Sequence, residues 1–109
     1  MTEKEIEWAA GVMEMIGSFL VVPTTGTTTH AVRFVARTSK HPDALERLAH
    51  LFEVNITTVN QGGSEATQIV MQGNVLHGIM VKLWPSLTPG RKREYAAARH
   101  ALKAKLEGK

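Results

Sequence analysis

Apolar positions recur at three- and four-residue spacing over residues 3–16. Ile6, Ala9, Ala10, Met13 and Gly17 fall on one side, and Glu3, Lys4, Glu5 and Glu7 crowd the start. That pattern predicts a helix capped by Thr2, with Glu5 as the reciprocal partner three positions on. From Ala9 to Gly17 the segment is apolar on nearly every side, which predicts burial on more than one face and close approach of a second helix over its Ala and Gly residues. Gly17 ends it. Ser18–Pro23 is short and β-prone and reads as a strand. Residues 24–29, Thr-rich with a glycine, read as a turn. His30–Thr38 reads as the returning strand, with Val32, Phe34 and Ala36 on one face and Arg33, Val35 and Arg37 on the other.

The pattern then repeats. Ser39-Lys40-His41-Pro42-Asp43 is a helix-start signal, with Pro pre-setting the first turn and Asp favoured by the helix dipole. Ala44, Leu45, Leu48, Leu51 and Phe52 form the apolar stripe of a second helix ending near Glu53. Val54–Asn60 and Ala66–Gln72 read as strands joined by a turn at Gln61-Gly62-Gly63-Ser64. In the second of them Thr67, Ile69 and Met71 oppose Gln68, Val70 and Gln72. Gly73-Asn74 opens a third helix carrying Val75, Leu76, Ile79, Met80 and Leu83. Pro85, Pro89 and Gly90 punctuate its end, and residues 91–107 form a last helix with Tyr95, Ala98, Leu102 and Leu106 at helical spacing. The order α-β-β-α-β-β-α-α predicts an α+β domain over 1–109, with a four-stranded antiparallel sheet and helices on one face. The other face would carry Arg33, Arg37, Gln68 and Gln72. It is either a polar platform for a ligand or a plain solvated sheet face.

Composition narrows the chemistry. A chain of 109 residues with 43% hydrophobic and 21% charged residues is expected to be one globular domain. No cysteine is present, which excludes disulfides, thiolate catalysis and Cys-based metal centres. The acidic start and the lack of any apolar run near the roughly 20 residues of a membrane span predict a soluble intracellular protein with no membrane partner. Net charge is +3 and lopsided: residues 1–53 carry five Lys/Arg against seven Asp/Glu, residues 54–109 eight against three. A basic C-terminal half suits a polyanionic partner, and equally a solvated lysine-rich helix face.

The segment Trp8-Ala9-Ala10-Gly11-Val12-Met13-Glu14-Met15-Ile16-Gly17-Ser18-Phe19 resembles the signature of the LAGLIDADG homing endonuclease family. Ala9 to Gly17 fill the nine motif places. Ala10, Gly11 and Gly17 match its small residues, Val12 and Met13 its apolar pair, and Glu14 its first acidic place. Leu83-Trp84-Pro85-Ser86-Leu87 followed by Arg91-Lys92-Arg93 resembles the family's hydrophobic-Pro-x-Leu segment and basic continuation. The element order agrees as well, so the resemblance covers nearly the whole chain. It implies a homodimer packed through Ala9, Ala10, Gly11, Val12, Met13 and Ile16, and a double-stranded DNA partner held in the sheet. The resemblance also implies a divalent metal bound by the second acidic place of the motif. Here that place is Ile16, which offers no oxygen ligand, and Gly90 rather than Lys92 falls at the family's basic position in an ungapped alignment. No catalytic residue, metal or cofactor is therefore expected, with Mg²⁺ required only if the chain is a nuclease with an atypical site.

On that resemblance the DNA-contacting set is Ser18, Thr24, Arg33, Arg37, Gln68 and Gln72 from the sheet, with Thr58 and Asn60 if the register of 54–60 permits. Leu20 and Val22 share this set by alternation and would meet thymine methyls or mark a covered face. Lys40, Lys82, Arg91, Lys92 and Arg93 would meet phosphates. Arg and Gln suit guanine and adenine edges. The five histidines lack zinc-ligand spacing, and Gln61-Gly62-Gly63-Ser64 lacks the Lys-Ser/Thr of a phosphate loop. Three functions remain open: a DNA-binding protein without cleavage, an active metal-dependent endonuclease with an atypical site, and a homodimeric protein-interaction or regulatory module.

Overall fold

In the computed structural model, which describes residues 1–24 and 29–107, Thr2 caps helix α1 (Glu3–Met15). The Thr2 hydroxyl accepts from Glu5 N–H at 3.2 Å, and Glu5 Oε1 accepts from Thr2 N–H at 2.7 Å. The bond from the Thr2 backbone N–H, followed by the influence of the Thr2 side chain on the carboxyl, holds Glu5 below its ordinary pKa. Strand β1 (Ser18–Pro23) and strand β2 (His30–Thr38) form the first hairpin. Residues 25–28 of the expected turn lie outside the described residues; Thr24 N–H donates to the Thr29 carbonyl at 3.0 Å across it. Helix α2 (Pro42–Phe52) leads to the second hairpin, strands β3 (Ile56–Gln61) and β4 (Ser64–Gln72). Helix α3 (Gly73–Leu83), a 3-10 turn at Trp84–Ser86 and helix α4 (Pro89–Glu107) complete the chain.

Among the boundaries that differ from the hydropathy pattern, two set the register of the second hairpin. The β-branched run predicted a strand from Val54, but Glu53 adopts a left-handed conformation (φ 55°) and the helix end uses Glu53 N–H and Val54 N–H on the carbonyls of His50 and Ala49. That exit consumes Val54 and Asn55, so pairing begins at Ile56. Gly62 and Gly63, both at positive φ (58° and 86°), make a two-residue turn that pairs Gln61 with Ser64. Pairing therefore extends two residues before the expected start of β4.

The sheet is antiparallel throughout, in the order β1-β2-β4-β3. Its helix-side face buries Phe34, Ala36, Ile69 and Met71. α2, α3 and α4 pack on that face, and α1 lies on α2, α3 and the 3-10 turn. One core joins all of them, with Ala9, Ala10, Met13, Leu45, Leu48, Leu76, Met80 and Leu83 essentially inaccessible. The architecture is α+β with helices on one side of a four-stranded sheet. No helix among the described residues is long and apolar enough to cross a membrane.

Candidate nucleic-acid interface

Antiparallel register decides which side chains share the face that no helix covers. Directly opposed residues point the same way. The pairs Leu20↔Arg33, Arg33↔Gln72, Val35↔Val70, Arg37↔Gln68 and Thr57↔Gln68 thus lie on one surface with Ser18. Arg33 Nε donates to Gln72 Oε1 at 2.9 Å. Arg37 Nε donates to Gln68 Oε1 at 2.9 Å, and Arg37 Nη2 also donates to that oxygen. The four polar side chains expected on this face thus stand as two cross-strand pairs, bridging the two central strands. Each glutamine oxygen fixes the azimuth of a guanidinium. Both Nη groups of Arg33 have no protein partner among the described residues and can donate to a ligand.

The face is not wholly polar. Leu20 is 38% exposed, and Val22, Val35 and Val70 are half-buried. No element among the described residues covers them, so the exposed surface alternates Arg–Gln pairs with aliphatic side chains.

Thr58 and Asn60 do not join this set. Their partners are Thr67 and Glu65, on the helix-side parity of β4, so both point to the opposite side of the sheet. Strand β3 instead offers Thr57 and Val59 to the free face. Thr24 sits just beyond β1, with its hydroxyl 2.8 Å from that of Thr29. Lys40 is exposed in the bend after β2.

Arg91 departs furthest from expectation. Expected among the phosphate-contacting cations, it is buried. Its guanidinium donates to the carbonyls of Met13 (2.8 Å), Ile16 (3.1 Å) and Gly17 (2.9 Å), the last carbonyls of α1 and its exit. Glu94 accepts from Nη1 at 2.6 Å. Reciprocally, Glu14 reaches the start of α4, where Thr88 N–H and Thr88 Oγ1 both donate to its carboxylate at 2.8 Å. Four orphan carbonyls end every helix and N–H groups begin it, so the two helices terminate one another. One sequence signal could have found this: Arg91 lies four residues before Tyr95, at the head of the stripe Tyr95–Ala98–Leu102. Lys92 and Arg93 sit beside this clamp, with Lys92 Nζ 5.7 Å from the Trp84 ring and Arg93 exposed. Lys82, on α3, is exposed.

The chain matches no family model and no curated protein.

At the end of α1, Ile16 packs against the core through its partly buried side chain, and both oxygens of Glu14 are engaged by Thr88. Among the described residues no three His, Asp or Glu side chains gather as a metal ion would require. Ala9, Ala10 and Met13, expected to meet a second copy, are buried within the single chain at 0–1% exposure. Their apolar character is used up by α2, α3 and the 3-10 turn. Val12 and Ile16 are partly buried against the same core, while Gly11 faces open space and Met15 is 86% exposed. Any contact between copies along α1 must use the Gly11–Met15 side.

Proposed function

We propose that this chain binds double-stranded DNA through the free face of its sheet, as a homodimeric protein of LAGLIDADG homing-endonuclease type that does not cut. The two Arg–Gln pairs carry the reading. Arg33 and Arg37, four positions apart on one strand, are separated by about 13–14 Å, and an arginine or glutamine held in a fixed plane suits bidentate contact with a guanine or adenine edge. Val35 between them and Leu20 opposite Arg33 suit thymine methyls. Lys40, Lys92 and Arg93 supply phosphate contacts that are indifferent to sequence.

Absence of cleavage follows from the end of α1. Phosphodiester hydrolysis of the family type needs a metal-binding carboxylate there. Ile16 supplies none, and Glu14 is committed to holding α4. A supercoiled plasmid incubated with the chain in Mg²⁺ or Mn²⁺ is expected to stay uncut while being retained in a gel shift. Efficient metal-dependent nicking would instead support the endonuclease alternative.

Selection of bound duplexes from random DNA tests the interface. At a preferred site Arg33→Ala and Arg37→Ala are expected to cost about 1–3 kcal/mol each, and Lys92→Ala to weaken all sequences alike and flatten the salt slope by about one. No retention of any duplex at low salt would overturn the reading. It would favour the protein-interaction module, which the aliphatic residues of the same face also suit.

The dimer is tested at Gly11. A Cβ added there meets nothing within 4 Å in the single chain, so Gly11→Leu starts from open space, and a loss of association in a folded variant reports a contact between copies. Sedimentation is expected to show a dimer for the parent and a shift to monomer for the variant. A parent that is monomeric at micromolar concentration removes this part of the proposal.

A further inference from the structure

On the helical side of the molecule, α3 and α4 leave a groove of about 630 Å³ between them. They meet at one cluster only in part: Tyr95 hydroxyl lies 2.9 Å from His77 Nδ1, and Arg99 Nη1 lies 2.6 Å from the same nitrogen. Beyond it the groove is lined by Met80, Val81, Ala96 and, from the 3-10 turn, Pro85, with Trp84 edge-on to Tyr95 at 6.2 Å. Val81 is 60% exposed and Trp84 37% exposed, although both project into this apolar hollow. The volume falls within the range of about 300–1,000 Å³ that serves recognition of a discrete ligand or anchor.

Charge defines the occupant. Among the described residues no carboxylate lines the groove. Arg99 lines it, with no partner for its Nε and Nη2 among the described residues, and the Lys92 ammonium, outside the lining itself, lies 5.7 Å from the ring centroid of the lining residue Trp84. These cations are seven residues apart on α4, about 10–11 Å along the axis, or two helical turns. An apolar floor two turns long between two cations matches an amphipathic helix with apolar anchors at i, i+3 or i+4, and i+7, flanked by acidic residues. A single-stranded nucleic acid fits less well, because Met80, Val81, Pro85 and Ala96 present aliphatic surface and no partners for base edges.

The geometry points to a docking groove on α3 and α4 for an acidic amphipathic helix of a partner protein. It lies on the helical side of the molecule, away from the Arg–Gln pairs of the free sheet face, and shares only Lys92 with the phosphate contacts proposed above. The inference does not depend on DNA binding.

The probe is a displayed library of helical peptides, about 12–15 residues or three to four turns long, selected against the full chain. Enriched peptides are expected to carry Asp or Glu around an i, i+3/i+4, i+7 apolar stripe. Val81→Glu, and independently Ala96→Glu, are expected to weaken the best peptide roughly tenfold or more. Both positions are exposed helix sites, and circular dichroism checks that each variant keeps the parent fold. Arg99→Glu is expected to weaken it similarly, with recovery when the acidic residues of the peptide are exchanged for lysine. Any of four results overturns the proposal: no enrichment over a charge-scrambled library, selected peptides without acidic residues, binding unchanged by both Val81→Glu and Ala96→Glu, or displacement by single-stranded RNA. So does a parent self-association that Val81→Glu abolishes, which would make a second copy the occupant.

Discussion

Arg91→Ala is expected to destabilise the protein by about 3 kcal/mol or more, since three carbonyls lose a charged donor and each buried unsatisfied group costs roughly 1–3 kcal/mol. Those carbonyls belong to Met13, Ile16 and Gly17, so the loss falls on the end of α1 and on its exit into β1. The side chain also lies 5.6 Å from the Phe19 ring centroid and 5.9 Å from that of Phe34, and a cavity would open there. Arg91→Lys is expected to recover only part of the loss, because one ammonium cannot reproduce a planar fork that reaches three oxygens. The control is Arg93→Ala. Arg93 has the same charge two residues on but is exposed, and its loss is expected to move stability by less than about 0.5 kcal/mol. Urea midpoints at constant m check this. Equal, small effects of the two alanine variants would show that the clamp contributes nothing.

Gly17→Ala is expected to be comparably damaging. Gly17 has φ +93°, which L residues rarely adopt, and its added Cβ would stand 2.3 Å from Cζ and 2.6 Å from Cε2 of Phe34. Phe34 is fully buried and packs on Phe19 with ring centroids 5.1 Å apart, so its ring has no free direction in which to yield. Left-handed strain of about 1–2 kcal/mol and overpacking of about 1–3 kcal/mol add to a loss of about 2–5 kcal/mol. Gly11→Ala, within α1, is the contrasting case. It has open space and helical backbone, and is expected to gain about 0.5–1 kcal/mol. Thermal unfolding of the two variants, measured side by side, should move in opposite directions. A Gly17→Ala protein as stable as the parent would mean that the α1–β1 corner is not held against Phe34.

Much of this protein is determined by local pattern. Thr2 and Glu5 satisfy one another within four residues, Pro42 and Asp43 open α2, and Gly62-Gly63 close a hairpin, each without help from distant parts of the chain. The alternation of Val32, Phe34 and Ala36 with Arg33 and Arg37 was enough to sort core from free face, because a strand has period two and one face had to be buried. Register was not legible for 54–60. Thr57, Thr58, Val59 and Asn60 are β-compatible on either face, so only the helix exit at Glu53 and the two-residue turn at Gly62-Gly63 decide that Thr57 rather than Thr58 shares the surface with Gln68. Nor did pattern reveal that each arginine on the free face would pair with a glutamine more than thirty positions away, since such pairs form only across strands that sequence does not make adjacent.

What only the tertiary structure decided is which apolar and which charged residues are spent internally. Ala9, Ala10 and Met13 have the small, apolar character of a contact between copies, and the same character serves packing on α2 and α3. A sequence records hydrophobicity and not the direction from which burial comes. Arg91 stands in a basic run with Lys92 and Arg93, identical to them in charge. It differs because it alone faces the open carbonyls at the end of α1, seventy-odd residues earlier in the chain. Helix ends need donors wherever the fold delivers them, and that delivery depends on packing between distant segments rather than on any local spacing.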